Sequence, residues 1–377
     1  MIYTQPEFDV QKVNVAGKVL KASMQDDWPN WGQDQWEKYH AAVAVINNWR
    51  GSHNYPLNTF TVNLRAICKK LSTEALVAQR IKRLNSIGLK LILQPSMKLS
   101  QMQDLGGCRA ILPDVSMTKK IVEYYQTVSR IKHENSAFDD YIAEPKPSGY
   151  RGIHLIYRYF SDKNKATYNG MKIEMQIRSK YQHAWATAVE TTGMFSGQAL
   201  KSSLGNEDWK RFFALMGSII AFREKSPLIP GTPQQRNALV DELRGLAGNL
   251  QVAVRLREYG NAMNAISSNT TDAAFYLMQL DPSKGTLQIT GFAADQVEEA
   301  SKKYAEAEEA AQKNRSGGDA VLVSVDSISA LGKAYPNYFA DTRLFLELME
   351  QALSGRSQTI RIPNPKIQTS LRFPSQS

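Results

Sequence analysis

Pro145-Lys146-Pro147-Ser148-Gly149-Tyr150-Arg151-Gly152-Ile153-His154, followed about twenty residues later by Glu174-Met175-Gln176-Ile177-Arg178, is the stretch from which the rest of the chain can be laid out. The first run is a turn punctuated by proline and glycine that leads into β-branched and aromatic residues over 153–160, a strand pattern. It carries one aromatic, Tyr150, and three potential cations, Lys146, Arg151 and His154. The second run alternates, so Glu174, Gln176 and Arg178 share one face of a strand. An acid, an amide and a guanidinium in a row make a costly core face. They suit the floor of a site for phosphate and metal.

Composition narrows the partners. The chain of 377 residues has room for two domains and a full-sized core. A formal charge of +10 favours an anionic partner: nucleotide, nucleic acid or acidic lipid. Two cysteines, Cys68 and Cys108, exclude a disulfide framework and a four-cysteine zinc site, and they fit a reducing cytosol. The first ten residues lack the form of a signal peptide, and the apolar run 212–222 is too short to span a bilayer, so the reading is a cytoplasmic protein with no membrane segment.

Around the organising stretch, residues 1–35 read as irregular lead-in, 35–50 and 57–71 as amphipathic helices, and 72–83 as a further helix. Arg80, Lys82, Arg83, Ser86 and Lys90 then cluster, either as a solvated charged face or as a clamp for a triphosphate, which needs converging cations and a hydroxyl. Asp104 precedes the Gly106-Gly107 bend and a buried strand through Leu112; such an aspartate serves a turn or a metal. A helix is expected over 115–125, another over 181–194, a strongly apolar one over 206–222, and a long one over 234–266. Residues 267–272 read as a linker. Beyond it come a hairpin (274–280 and 286–292), a helix (293–314), a strand (320–326) and a helix (338–353), a small ββαβα unit. The segment 355–377 holds no acid and four cations, a basic tail.

Five blocks, in this order, now resemble the synthetase domain of the RelA/SpoT family: Arg80-x-Lys82 with Ser86 and Lys90; Asp104-Leu-Gly-Gly-Cys-Arg109; Lys146-Pro-Ser-Gly-Tyr150-Arg-Gly-Ile-His154; Glu174-Met-Gln176-Ile-Arg178; and His183-Ala-Trp185-Ala186. The resemblance spans roughly residues 35–225. It implies an α+β fold, a mixed sheet flanked by helices of nucleotidyltransferase type. It also implies a pyrophosphokinase that moves the β,γ-diphosphate of ATP to a ribose 3′-hydroxyl. Carried over, Arg80, Lys82, Ser86, Lys90 and Arg109 bind ATP, and Asp104 and Glu174 are catalytic and hold Mg²⁺. Tyr150 stacks on the acceptor base, while Lys146, His154, Gln176 and Arg178 line its pocket. No His-Asp dipeptide occurs, so the metal hydrolase domain of the long bifunctional members is not expected.

Short members of that family either make (p)ppGpp or (p)ppApp from free nucleotides such as GDP and GTP, or pyrophosphorylate the 3′ CCA end of tRNA. The basic balance leans toward tRNA. The expected organisation is a synthetase (toxin) domain over 1–266, a small regulatory unit over 272–354 and the tail. The unit resembles the C-terminal domain of CapRel-type phage-defence proteins, similar to a zinc finger without its ligands. Both cysteines lie upstream of it. Tyr335 and Tyr338, read as lying at a helix start, either plug the nucleotide site in autoinhibition, released by a phage protein, or pack the unit's own core. A nucleotide synthetase with an oligomerising domain and a catalytically silent nucleic-acid-binding module remain open beside this reading.

Overall fold

The computed structural model describes residues 3–26, 31–129, 131–199, 206–262, 264–268, 273–281, 284–313, 319–325, 328–339 and 341–355. The basic tail beyond Gly355 lies outside them. Helix α1 (Val10–Ser23) is capped by Asp9, whose carboxylate accepts from the Lys12 N–H, and it buries Val13, Ala16 and Leu20. The supposed lead-in therefore holds a helix. Its apolar stripe is blurred in the sequence by the exposed Val10 and Val15. Helices α2 (Gln33–Ser52) and α3 (Asn54–Leu71) meet at His53, and Pro56 sits in the first turn of α3, where a missing N–H costs nothing.

Residues 72–83 are not a helix. Leu76–Ile81 form strand β1, because this short segment gains more from pairing on both sides, with Val77 and Ile81 in the core, than from local propensity. After it come α4 (Leu84–Leu93), β2 (Gly106–Leu112) and α5 (Val115–Glu123), the last capped by Asp114. Strands β3 (Glu134–Asp140), β4 (Ile153–Arg158) and β5 (Lys172–Ser179) complete this half of the sheet. In β5 the alternation holds: Ile173, Met175 and Ile177 are fully buried on one face, each contributing about 1.5–3 kcal/mol of burial. Glu174, Gln176 and Arg178 stand on the other.

Helices α6 (Lys180–Ala199), α7 (Asn206–Glu224), α8 (Arg236–Asn249) and α9 (Val252–Ala262) form a helical layer. The long helix expected over 234–266 is thus two helices, interrupted where Gln251 takes positive φ, followed by strand β6 (Asn264–Ser268). That strand includes part of the expected linker; residues 269–272 lie outside the described ones. Then follow β7 (Phe275–Asp281), β8 (Thr286–Phe292), α10 (Val297–Lys313), β9 (Asp319–Ser324), α11 (Ile328–Ala334), a 3₁₀ turn (Pro336–Phe339) and α12 (Arg343–Ser354). Tyr338 lies in that 3₁₀ turn rather than at the start of a long helix.

The described strands join in one mixed sheet, in the order β3-β4-β5-β2-β1-β9-β7-β8-β6. β2 and β5 run parallel, whereas β1 is antiparallel to both β2 and β9. Across β1 and β9 the C-terminal strands continue the N-terminal ones. Helix α3 packs under the sheet through Leu57, Phe60 and Leu64, and α10 covers the same face farther along through Ala300, Tyr304 and Ala307. On the opposite face, α11 and the 3₁₀ turn pack Leu331, Tyr335 and Tyr338 against Ala78, Val321 and Val323. Helix α12 leaves this unit and buries Phe345 and Met349 in the helical layer.

Candidate active site

Register alone gathers the predicted residues. His154 is opposite Gln176, Gln176 is beside Arg109, and Glu174 is beside Gly107, which is opposite Arg80. Arg80, Arg109, His154, Glu174, Gln176 and Arg178 therefore share one face of four adjacent strands.

Four of these side chains and Tyr150 are joined in one hydrogen-bonded network. Glu174 Oε1 lies 3.0 Å from His154 Nδ1, and Glu174 Oε2 accepts from Gln176 Nε2 at 2.7 Å. Gln176 Oε1 accepts from Arg178 Nη2 at 2.5 Å, which also donates to the Tyr150 hydroxyl at 3.2 Å. That hydroxyl lies 2.6 Å from His154 Nε2, closing a ring. With His154 Nδ1–H donating to Glu174, Nε2 is left to accept the Tyr150 proton. Burial pushes the Glu174 carboxyl up, but the His154 and Gln176 hydrogen bonds outweigh it and the pKa is lowered. Glu174 is a carboxylate at neutral pH.

The loop that presents Tyr150 is seated by close packing. Gly149 has φ +96°, and a Cβ there would come within 2.6 Å of the Phe213 carbonyl oxygen, so only glycine fits. Lys146 is exposed, with Nζ 4.1 Å from the Tyr141 ring centroid and 5.6 Å from that of Tyr150. Arg151, counted among the potential cations, points elsewhere: it is buried and paired with Glu224 at 2.8 Å, which also binds Gln182 and Ser179. It is a structural ion pair.

Next to this network, Asp104 accepts from Lys82 at 2.7 Å and Lys90 at 2.9 Å. The two ammonium groups overcome the effect of burial and lower the Asp104 pKa; burial lowers that of Lys82. Ser86 and Lys90 lie one turn apart on α4. Arg109 is pushed down to about 10 by burial and by the neighbouring Arg178 and Arg80. His183 on α6 is held well below the usual range by burial and by Arg109 and Arg178. The guanidinium groups are concentrated and incompletely used: Arg109 Nε and Arg178 Nε and Nη1 are buried without a hydrogen-bond partner. Orphaned donors of this kind ask for an anion.

The C-terminal unit lies against these cations. The Tyr335 hydroxyl donates to the Gln79 carbonyl at 3.0 Å, and the Arg109 guanidinium sits 5.8 Å from the Tyr335 ring centroid. Tyr338 accepts from Arg83 at 3.0 Å and donates to Asp319, which is ion-paired with Arg83. His183 donates to the Lys333 carbonyl at 3.2 Å. Both tyrosines are buried and pack the unit's own core, while also reaching the cations. On the other face Glu308 pairs with Arg50 and accepts from the Leu84 N–H at 2.8 Å, capping α4. Arg83, Glu308 and Asp319 carried no signal of these roles, since the partners lie more than two hundred residues apart.

Residues 79–196 match the family model described as the region found in RelA / SpoT proteins. These residues form a RelA/SpoT-family synthetase domain. The GTP pyrophosphokinase of Haemophilus influenzae is 26% identical over 151 residues, 39% of this chain and 18% of that protein. The GTP pyrophosphokinase YjbM of Bacillus subtilis is 31% identical over 99 residues, 25% of this chain and 43% of that protein. The first curated relatives are matched over 9% and 18% of their own length. Among solved structures, small alarmone synthetase 1 from Bacillus subtilis bound to its product pppGpp aligns with TM-score 0.40 and 21% identity, covering 51% of this chain and 94% of that one. The RelA/SpoT region contains every predicted site residue except the two tyrosines.

Fit to a metal can be tested on the donor set. Among the described residues no group of three or more His, Cys, Asp or Glu could hold an ion alone. Asp104 and Glu174 are close enough for the Asp104 charge to raise the Glu174 pKa. Two carboxylates completed by phosphate oxygens and water are what Mg²⁺ accepts, so the residues fit. Cys68 and Cys108 are buried thiols pushed up to about 12, unsuited to metal. No described helix is long and apolar enough to cross a membrane.

Proposed function

We propose that this chain is an ATP-dependent pyrophosphokinase that transfers the β,γ-diphosphate of ATP to the 3′-terminal ribose of tRNA. The observation that carries the reading is the set of unpartnered guanidinium donors on Arg109 and Arg178 beside the Asp104 and Glu174 carboxylates. The ribose oxygen forms a bond to the β-phosphorus, the bond from that phosphorus to the α,β-bridging oxygen breaks, and AMP leaves. Glu174, ionised at neutral pH, receives the hydroxyl proton. Arg80, Lys82, Ser86, Lys90 and Arg109 bind the donor phosphates and stabilise the charge that builds in the transition state. Lys82 and Lys90 exchange Asp104 for phosphate when ATP enters. A magnesium ion, held by Asp104 and Glu174, supplies further charge neutralisation when bound. Tyr150 stacks on the acceptor base, and Lys146, His154, Gln176 and Arg178 orient it.

The net charge of +10 supports an RNA acceptor. The contacts of Tyr335 with Arg109 and of Tyr338 with Arg83 support autoinhibition, in which the C-terminal unit, similar to a metal-free zinc finger, covers the donor side. By its resemblance to CapRel-type proteins, the trigger that lifts the unit is a phage protein. The names of the relatives favour a second acceptor, a guanine nucleotide. ATP labelled on its γ-phosphate, offered to the full chain with bulk tRNA, GDP, GTP and AMP in parallel, separates the two. Label on tRNA, increased by Tyr338→Ala, is expected. Label on guanine nucleotides alone overturns the tRNA reading.

A further inference from the structure

Tyr150 is held through both of its chain neighbours, and by a single helix. Gly149 and Gly217 of α7 meet directly: a Cβ on Gly217 would come within 2.9 Å of the Gly149 carbonyl oxygen and 3.0 Å of its Cα. Arg151 reaches the last residue of the same helix, with Nη1 donating to Glu224 Oε2 at 2.8 Å and Nη2 to the Ser226 hydroxyl. The turn therefore lies on α7 at two points, one of contact and one of charge, with Tyr150 between them.

Glu224 serves a further element. Its Oε1 accepts from the Ser179 hydroxyl, and its Oε2 also accepts from Gln182 Nε2 at 2.9 Å. Ser179 follows Arg178 at the end of β5, and its own N–H donates to Gln182 Oε1 at 3.1 Å. One carboxylate thus fixes the residue after Tyr150 and the residue after Arg178. Those two side chains are themselves joined, since Arg178 Nη2 donates to the Tyr150 hydroxyl.

Neither charge is where stability alone would put it. A carboxylate in the last turn of a helix opposes the macrodipole. The Arg151 and Glu224 side chains are only 2% and 3% exposed. Desolvating two charges costs about what their attraction returns, so a well-packed apolar pair would serve stability as well. An apolar pair could not receive directed hydrogen bonds from Arg151, Ser179 and Gln182 at one point. Local preference gives way in this manner where a site needs a fixed geometry.

We propose that Arg151 and Glu224 are positioning residues of the acceptor side: without touching the acceptor, they set the Tyr150 ring and the Arg178 guanidinium relative to each other. Helix α7, an apolar core helix by its sequence, then carries the geometry of the acceptor side. The inference rests on the acceptor role given to Tyr150 above.

The test is steady-state transfer from labelled ATP by the full chain, with KM for acceptor and for ATP measured separately. The acceptor is whichever of bulk tRNA, GDP, GTP and AMP the unaltered protein labels. Glu224→Gln and Arg151→Lys are each expected to raise the acceptor KM about tenfold or more and the ATP KM less than about twofold. In a Tyr150→Ala background the same changes should raise the acceptor KM less than about threefold, since little is left to position. Gly217→Ala suits a helix better than glycine does, so it preserves α7 while pushing the turn away, and it should give the same split. Leu243→Ala, which loosens the same helical layer through α8, should not. Equal rises in both KM values, full losses that persist beside Tyr150→Ala, or the same split from Leu243→Ala overturn the positioning role and leave the acceptor reading standing. An acceptor KM unmoved by Tyr150→Ala, or label on none of the acceptors, overturns that reading and this inference with it. Gly217→Ala decides the matter if the ion-pair variants do not fold.

Discussion

The C-terminal unit meets strand β1 from both faces, and the two contacts are built differently. Underneath, Arg50 and Glu308 are nearly inaccessible; Arg50 also donates to the Lys82 carbonyl at 3.3 Å and lies 4.9 Å from the Tyr304 ring centroid. Its Nε donates to Asn47 at 2.9 Å and Tyr304 donates to Glu308 at 2.7 Å, so the buried charges are well satisfied. Above, Arg83 and Asp319 keep about a fifth of their side-chain surface in solvent, and the tyrosines lie among cations that also serve the candidate site. The lower contact costs much to break because both charges would be stranded. The upper contact can exchange its partners for phosphate and water. One face fastens the unit, while the other is the one that covers the donor side in the autoinhibition proposed above.

That contrast can be broken experimentally. The largest effect is expected from Glu308→Ala, which leaves Arg50 buried without its carboxylate and α4 without its cap. Chemical denaturation of the full chain should show a loss of about 3–5 kcal/mol. A loss under about 1 kcal/mol would mean that this face does not fasten the unit.

Acidification should come next, because each face has a buried histidine. His53, beneath the sheet, is lowered to about 4 by burial, and His183, above it, is lowered well below its usual range. A histidine whose folded pKa is depressed is protonated first in the unfolded chain. Stability is therefore full above pH 6.5 and falls as pH drops from there toward 4, by on the order of 3 kcal/mol for His53. Midpoints of denaturation measured between pH 7 and 4.5 test this; a flat profile contradicts neutral burial.

Tyr338→Phe removes one hydroxyl from the upper face while leaving Arg83 and Asp319 paired. It should cost about 1 kcal/mol and raise basal transfer in the labelled-ATP assay. A rise in transfer with little loss of stability would separate covering from fastening, and unchanged transfer would confine Tyr338 to packing. Glu174→Gln should have the smallest effect on the fold, within about 1 kcal/mol, because an amide can keep much of the hydrogen-bonded ring. It should nevertheless abolish transfer. Retained transfer would remove Glu174 from the proton step.

Much of the site was legible because its chemistry is local. The alternation of β5 put Glu174, Gln176 and Arg178 on one face, and the resemblance to the RelA/SpoT synthetase domain, carried by short local blocks, implied that Tyr150 and His154 join them. Strand β1 was not legible: Leu76-Val77-Ala78-Gln79-Arg80-Ile81 carries no turn signal at its start, and only pairing with β2 and β9 makes it a strand. The α4 cap was hidden for the same reason, since it is contributed by Glu308 from the C-terminal unit. Helix α12 reads correctly as a helix, but its burial beside α6 and α7 depends on the path of the whole chain.

The seam between β1 and β9 is short, with Gln79 opposite Ser324 and Arg80 opposite Val323. If the C-terminal unit lifted away, β1 would become an edge strand, its outward N–H and C=O groups open to any extended polypeptide. Arg80 and Lys82 put positive charge along that rim, which discourages self-pairing and would favour a strand with acidic neighbours. In the autoinhibition proposed above, opening would uncover the donor site and, in the same movement, a template for backbone pairing.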